Sequence, residues 1–143
     1  MDLNGGTFST GGFSETVGAL TLSLASTLDF GSGASILNYS NGGVDAWTGL
    51  LTIDNWTGTP FVAGGTDQLH FTGITTTNFT SMVDQSEVTW SGFGSGYQII
   101  GSDGSFEIVP VPEPAPIVGG IALLGLAACR ERKRLAALLA RRR

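Results

Sequence analysis

Residues 1–129 of this chain contain no lysine and no arginine. Such a segment has nothing with which to neutralise phosphates, which excludes nucleic acid as its partner. No lysine or arginine ion pair can form within it either, so any fold there rests on burial and backbone hydrogen bonds. Cysteine occurs once, at Cys129, which excludes an intramolecular disulfide. Histidine also occurs once, at His70, which excludes a metal centre built on several histidines and a second histidine to share acid–base work. The start, Met1-Asp-Leu-Asn-Gly-Gly6, has neither the basic nor the apolar region of a secretory signal. No window before residue 115 sustains a helical apolar period, so long helices are not expected there.

Other signatures are missing as well. Serine and aspartate abound, so composition leaves a Ser-His-Asp arrangement open, but no Gly-x-Ser-x-Gly turn stands between a strand and a helix. Gly92-Phe-Gly-Ser-Gly-Tyr97 has the wrong spacing and setting, and the glycine loops lack the lysine of a phosphate-binding loop. Calcium is the one metal that acidic turns would suit, yet the Gly-Gly-x-Gly-x-Asp repeat that marks such sites is absent. The sequence predicts no metal and no cofactor, and offers no case for an enzyme.

What is present between Thr7 and Val109 is glycine, threonine, serine and asparagine around short alternating triplets. These are Leu20-Thr-Leu22, Leu28-Asp-Phe30, Leu37-Asn-Tyr39, Leu51-Thr-Ile53, Leu69-His-Phe71, Val88-Thr-Trp90 and Phe106-Glu-Ile108. In each, the outer residues share one face of a strand and the middle one takes the other. Glycine-bearing separators such as Gly31-Ser-Gly33, Asn41-Gly-Gly43, Gly64-Gly65 and Asp103-Gly104 supply turns. The expected body, residues 1–109, is therefore all-β. Its low proline content, low charge and short loops favour a parallel β-solenoid, with an antiparallel β-sandwich as the alternative. The early triplets lie too close together for each to be a full three-sided rung, and read as two sides of one. Residues 77–106 depart from the pattern and are expected to form the capping end.

Trp47, Trp56 and Trp90 have two readings. Exposed on a strand face, they would stack on the apolar face of a pyranose and hold extracellular polysaccharide; otherwise they pack in the core or cap. Asn38-Tyr-Ser40, Asn55-Trp-Thr57 and Asn78-Phe-Thr80 match the glycosylation acceptor pattern, as chance alone allows in so polar a chain. His70, in the middle of its triplet, is expected on the solvated face.

The remainder is different in kind. Four prolines fall within residues 110–116, Pro110-Val-Pro-Glu-Pro-Ala-Pro116, and they fix φ and remove amide donors. This reads as an extended, exposed strap that the preceding sheet cannot absorb. Residues 117–129 are wholly apolar. As a helix they cover about 20 Å against a bilayer core of about 30 Å, a gap that the flanking residues narrow. Every basic side chain follows that run: Arg130, Arg132, Lys133, Arg134, Arg141, Arg142 and Arg143. Eleven of the twelve acids precede it. Opposite charges on the two sides of an apolar segment are the pattern of a membrane helix with its basic end in the cytoplasm. Residues 117–143 are thus expected to be one C-terminal transmembrane helix with a basic tail.

Val111-Pro-Glu-Pro114, the apolar run containing Ala-Leu-Leu-Gly-Leu-Ala at 122–127, and the terminal arginine cluster together resemble the PEP-CTERM sorting domain. The resemblance covers residues 110–143. It implies a Gram-negative host and recognition of Val111, Pro112, Glu113 and Pro114 by exosortase, a membrane-embedded transpeptidase-like enzyme. It also implies a transient stay in the inner membrane before delivery to the cell surface or extracellular matrix. Residues 135–140 stand between two basic clusters, where the family usually ends, and this departure bears on where the helix leaves the membrane. The glycine-, threonine- and serine-rich body more loosely resembles the β-regions of autotransporter-like repeat proteins. An exported body calls for a signal peptide, so the sequence is expected to be a fragment or to have a start misplaced within a longer frame. The expected function is an exported structural protein of the envelope, with a polysaccharide-binding module as the alternative. A glycan hydrolase lacks an acid pair at any recognisable spacing.

Overall fold

The alternating triplets form the framework of the body, and in all seven the first and third residues are buried. This computed structural model describes residues 1–40 and 47–113. Met1–Glu113 forms one compact unit. The expected helix at 117–129, Pro114, the basic residues from Arg130 to Arg143 and the separator Asn41-Gly-Gly43 lie outside the described residues.

The strands, in order, are β1 (Asp2–Asn4), β2 (Thr7–Ser9), β3 (Glu15–Val17), β4 (Thr21–Leu24), β5 (Ser26–Asp29), β6 (Ile36–Ser40), β7 (Leu51–Asp54) and β8 (Gln68–Thr72). A short helix, α1 (Thr76–Met82), and a 3-10 turn (Gln85–Glu87) follow. Then come β9 (Val88–Trp90), β10 (Gly94–Ser95), β11 (Tyr97–Ser102) and β12 (Ser105–Pro110). They make three sheets, ordered β1-β4, β10-β9-β7-β5-β2 and β11-β12-β8-β6-β3. The first six strands visit these sheets in turn, so the early triplets Leu20-Thr-Leu22, Leu28-Asp-Phe30 and Leu37-Asn-Tyr39 fall in three different sheets.

Pairing is parallel from β1 to β4, along β2-β5-β7-β9 and along β3-β6-β8. It is antiparallel only where β10, β11 and β12 join. The body is therefore all-β with mixed sheets, and the purely antiparallel sandwich does not hold. Parallel register stacks like on like. Thr7, Thr27, Thr52 and Thr89 line up on the outer face of one five-stranded sheet, with Phe8, Leu28, Ile53 and Trp90 beside them on its inner face. The other sheet aligns Leu37, Leu69 and Ile108, and next to them Tyr39, Phe71 and Phe106. Threonine and branched or aromatic side chains suit such a pleated, half-buried surface.

Within 77–106 most elements do leave the parallel pattern, as expected of a closing end, although β9 still continues it on β7. Helix α1 was not legible as a period, because Thr-Thr-Asn-Phe-Thr-Ser-Met buries Phe79 alone. It is held at its N-terminal end. Thr75 accepts a hydrogen bond from the Asn78 amide at 3.1 Å, and Asp103 accepts from the Thr76 amide at 2.8 Å. Tertiary burial of Phe79 then outweighs the weak helix propensity of threonine.

Two further expectations change. Pro110 is not part of a free strap: it is buried and paired with Tyr97 at the end of β12. Proline is tolerated there because the ladder stops with it. Glu107, the middle residue of its triplet, is also buried, because the loop between β7 and β8 folds over it and the Gly64 amide donates to its carboxylate at 2.8 Å. Among the described residues no helix is long and apolar enough to cross a membrane.

Candidate functional site

The strap leaves β12 along the turn that joins β9 to β10. That turn is tied down locally: the Phe93 amide donates to the Trp90 carbonyl at 3.0 Å and the Gly96 amide to the Val88 carbonyl at 2.8 Å. The Phe93 ring lies edge-on to Trp56 with centroids 5.6 Å apart. Beyond the turn, the Tyr97 amide donates to the Gln85 side chain at 2.7 Å, and the Tyr97 hydroxyl donates to the Val83 carbonyl at 2.6 Å. Burial, reinforced by the charges of Asp84 and Glu87, pushes that phenol up to about 12.

On this base the strap is seated. Val111 and Pro112 are half-buried and Glu113 is exposed. The Glu113 amide donates to the Phe93 carbonyl at 3.1 Å. Its side chain lies across Gly94, where a Cβ would stand 2.5 Å from Glu113 Cγ and 2.7 Å from Oε1. Gly94 also has φ of 101°, a conformation that other residues adopt only with strain. The sequence shows the glycine run and the motif, but not that one receives the other, since that contact exists only once β9 and β12 are in place.

Trp47, Trp56 and Trp90 are 3%, 8% and 1% exposed. None presents a ring face to solvent, so a tryptophan platform for sugar stacking is not available; the core-packing reading is the one that fits. Trp56 meets Trp90 edge-on at 5.3 Å, and Trp47 meets Phe79 at 6.2 Å. Their triplets and loops point inward because the three-sheet arrangement gives every strand an apolar interior to face.

His70 is half-buried on the outer face of its sheet, in one cross-strand row with Asn38 and Glu107. Its Nε2 is 2.8 Å from Gln68 Oε1 and 3.9 Å from Glu107 Oε2. Among the described residues no group of three or more His, Cys, Asp or Glu side chains is placed to hold a metal. An open groove of about 260 Å³ is lined by Ser14, Glu15, Thr16, Ile36 and Asn38, which offer hydroxyls, an amide and one carboxylate but no nucleophile–base pair.

Three surface carboxylates stabilise turns in their ionised form. Asp29 is held below its usual 3.8 by the Asn55 side chain and then the Gly31 amide. Asp84 is lowered by the Ser86 hydroxyl and amide, and Asp103 by the Thr76 amide and hydroxyl. Lowered folded values mean that this stability is complete above pH 3.8 and is lost as pH falls through them. The urea midpoint of the protein should therefore drop between pH 5 and pH 2.5, modestly because solvent screens all three. A midpoint that rises on acidification would contradict these assignments.

No family model, curated protein or solved structure matches this chain.

Proposed function

We propose that this chain is an exported structural protein of the cell envelope or extracellular matrix, whose residues 110–143 form a sorting signal processed by an exosortase-type enzyme. The observation that carries the reading is the order of the parts. A body without lysine or arginine is followed by Val111-Pro-Glu-Pro114, then by an apolar run, then by all seven basic residues. In this reading 117–129 insert in the inner membrane, the basic tail stays in the cytoplasm, and the body faces outward before release to the surface.

We further read the body as a short three-sided β-solenoid with an antiparallel end. Asp2 lies opposite Thr21, Thr7 opposite Thr27 and Glu15 opposite Leu37, so one circuit takes about 20 residues, within the range of stacked repeats. Such a body serves as a spacer or matrix element, and the inward tryptophans favour this role over a polysaccharide-binding one.

Glu113 is the one charged residue between Glu107 and Arg130, and flanking prolines hold it extended. Glu113→Gln keeps its size and leaves the apolar run untouched. In an exosortase-positive host the variant is expected to accumulate as the longer, unprocessed form in the inner membrane. Mass spectrometry of the protein decides it: a wild-type chain that retains Arg143, or a variant processed like wild type, would sink the sorting reading.

A further inference from the structure

We infer that the folded body masks its own sorting motif, with Gly94 as the seat from which Glu113 must lift before an enzyme can grip it. The inference rests on the sorting reading above and concerns access to the motif rather than its recognition.

Three observations converge on this seat. The Glu113 amide, which an enzyme binding the strap as an extended strand would need, is already donated to the Phe93 carbonyl. The side chain of Glu113 rests on Gly94, where a Cβ would stand within 3 Å of its Cγ and carboxylate, so a larger residue there must push that side chain off the turn. The turn beneath is fixed through Trp90 and Val88 on one side and through the Phe93–Trp56 ring contact on the other, so the seat exists only when β9 and the loop bearing Trp56 are folded.

Chain length adds a consequence. With Glu113 seated, three residues, 114–116, link it to the apolar run, and they span at most about 10 Å. An enzyme embedded in the membrane then meets the motif against the body, without free chain on its N-terminal side. Once Glu113 lifts, the free chain extends back to the end of β12 at Pro110 and roughly doubles the available reach. Unseating is thus a step that precedes gripping, and its equilibrium constant multiplies the processing rate.

The test is pulse–chase of the full chain in an exosortase-positive host, with conversion of the longer to the shorter form as the readout. Gly94→Ala places a Cβ where Glu113 Cγ sits. It is expected to speed conversion about fivefold, the factor set by one hydrogen bond of ordinary net strength. Because φ at Gly94 is positive, alanine there also strains the turn. A second variant leaves the body's side chains intact: Gly-Ser-Gly-Ser inserted between Pro110 and Val111 moves Glu113 off the seat and should give the same acceleration. Hydrogen exchange on the full chain in detergent should show the Glu113 amide protected in the wild type and unprotected in both variants. Conversion in both variants at the wild-type rate or slower, or an unprotected Glu113 amide in the wild type, would overturn the masking. If Glu113→Gln is blocked while the two variants match wild type, masking alone fails; if Glu113→Gln is processed normally, the sorting reading itself fails.

Discussion

Phe79→Ala is expected to lower the stability of the body by about 4 kcal/mol, the range for removing a fully buried aromatic ring. Phe79 is wholly buried and is the residue through which α1 joins the core. Its ring contacts Phe71 at 4.6 Å, Phe106 at 5.2 Å, Tyr97 at 5.5 Å and Trp47 at 6.2 Å, measured between centroids. These partners come from β8, β12, β11 and the segment before β7, so one side chain closes the end at which parallel pairing gives way to antiparallel. Alanine would leave a cavity walled by rigid rings that cannot collapse into it, and edge-to-face contacts would be lost beyond the area term. For a unit of this size the melting temperature should fall by about 15 °C. Phe79→Leu refills most of the volume and should lose less than half as much. Equal melting temperatures for wild type and alanine variant would mean that α1 does not pack as described.

The same residue marks the boundary of what could be read in advance. Alternation is a local signal, and in the seven triplets from Leu20-Thr-Leu22 to Phe106-Glu-Ile108 it correctly grouped the residues that the fold buries together. Shorter or more polar strands gave no such signal: Thr-Phe-Ser of β2 and Glu-Thr-Val of β3 are held mainly by pairing with β5 and β6. Helix α1 and the burial of Glu107 were hidden for a related reason, since both depend on distant partners: Asp103 for the helix, and Gly64 for the carboxylate. Trp90 illustrates an ambiguity that periodicity cannot remove, because a three-residue alternation fixes which residues share a face but not which face is inside; Trp47 and Trp56 lie outside any triplet. The motif at 111–114 was legible as a linear pattern. Its seat on Gly94 was not, since two segments about twenty residues apart meet only through the fold.

The second large effect concerns a residue that no motif pointed to. Asp67 is fully buried just before β8, in a body with no lysine or arginine to pair with it. Its carboxylate is satisfied by backbone instead: Oδ1 accepts from the Ser35 amide at 3.0 Å and Oδ2 from the Thr57 amide at 2.7 Å. Ser35 precedes β6 and Thr57 follows β7, so one side chain joins the corners of successive strands. The Ser35 hydroxyl, also buried, lies 2.8 Å from Thr10 Oγ1, which extends the link to the corner after β2. Asp67→Ala would strand the Ser35 amide in the interior and deprive that of Thr57 of its acceptor. The buried Ser35 donor left unsatisfied costs about 1–3 kcal/mol and the lost Thr57 bond about 1 kcal/mol, so the expected loss is about 3 kcal/mol. Asp67→Asn keeps one acceptor and turns an amide N–H₂ toward a second donor, and should fall between wild type and alanine. A structural corner residue and a merely tolerated buried acid differ in where the loss shows. The first predicts accelerated hydrogen exchange at Ser35 and Thr57 under native conditions, beyond the global change. If both amides stay protected in Asp67→Ala while the urea midpoint is unchanged, the corner does not depend on this carboxylate.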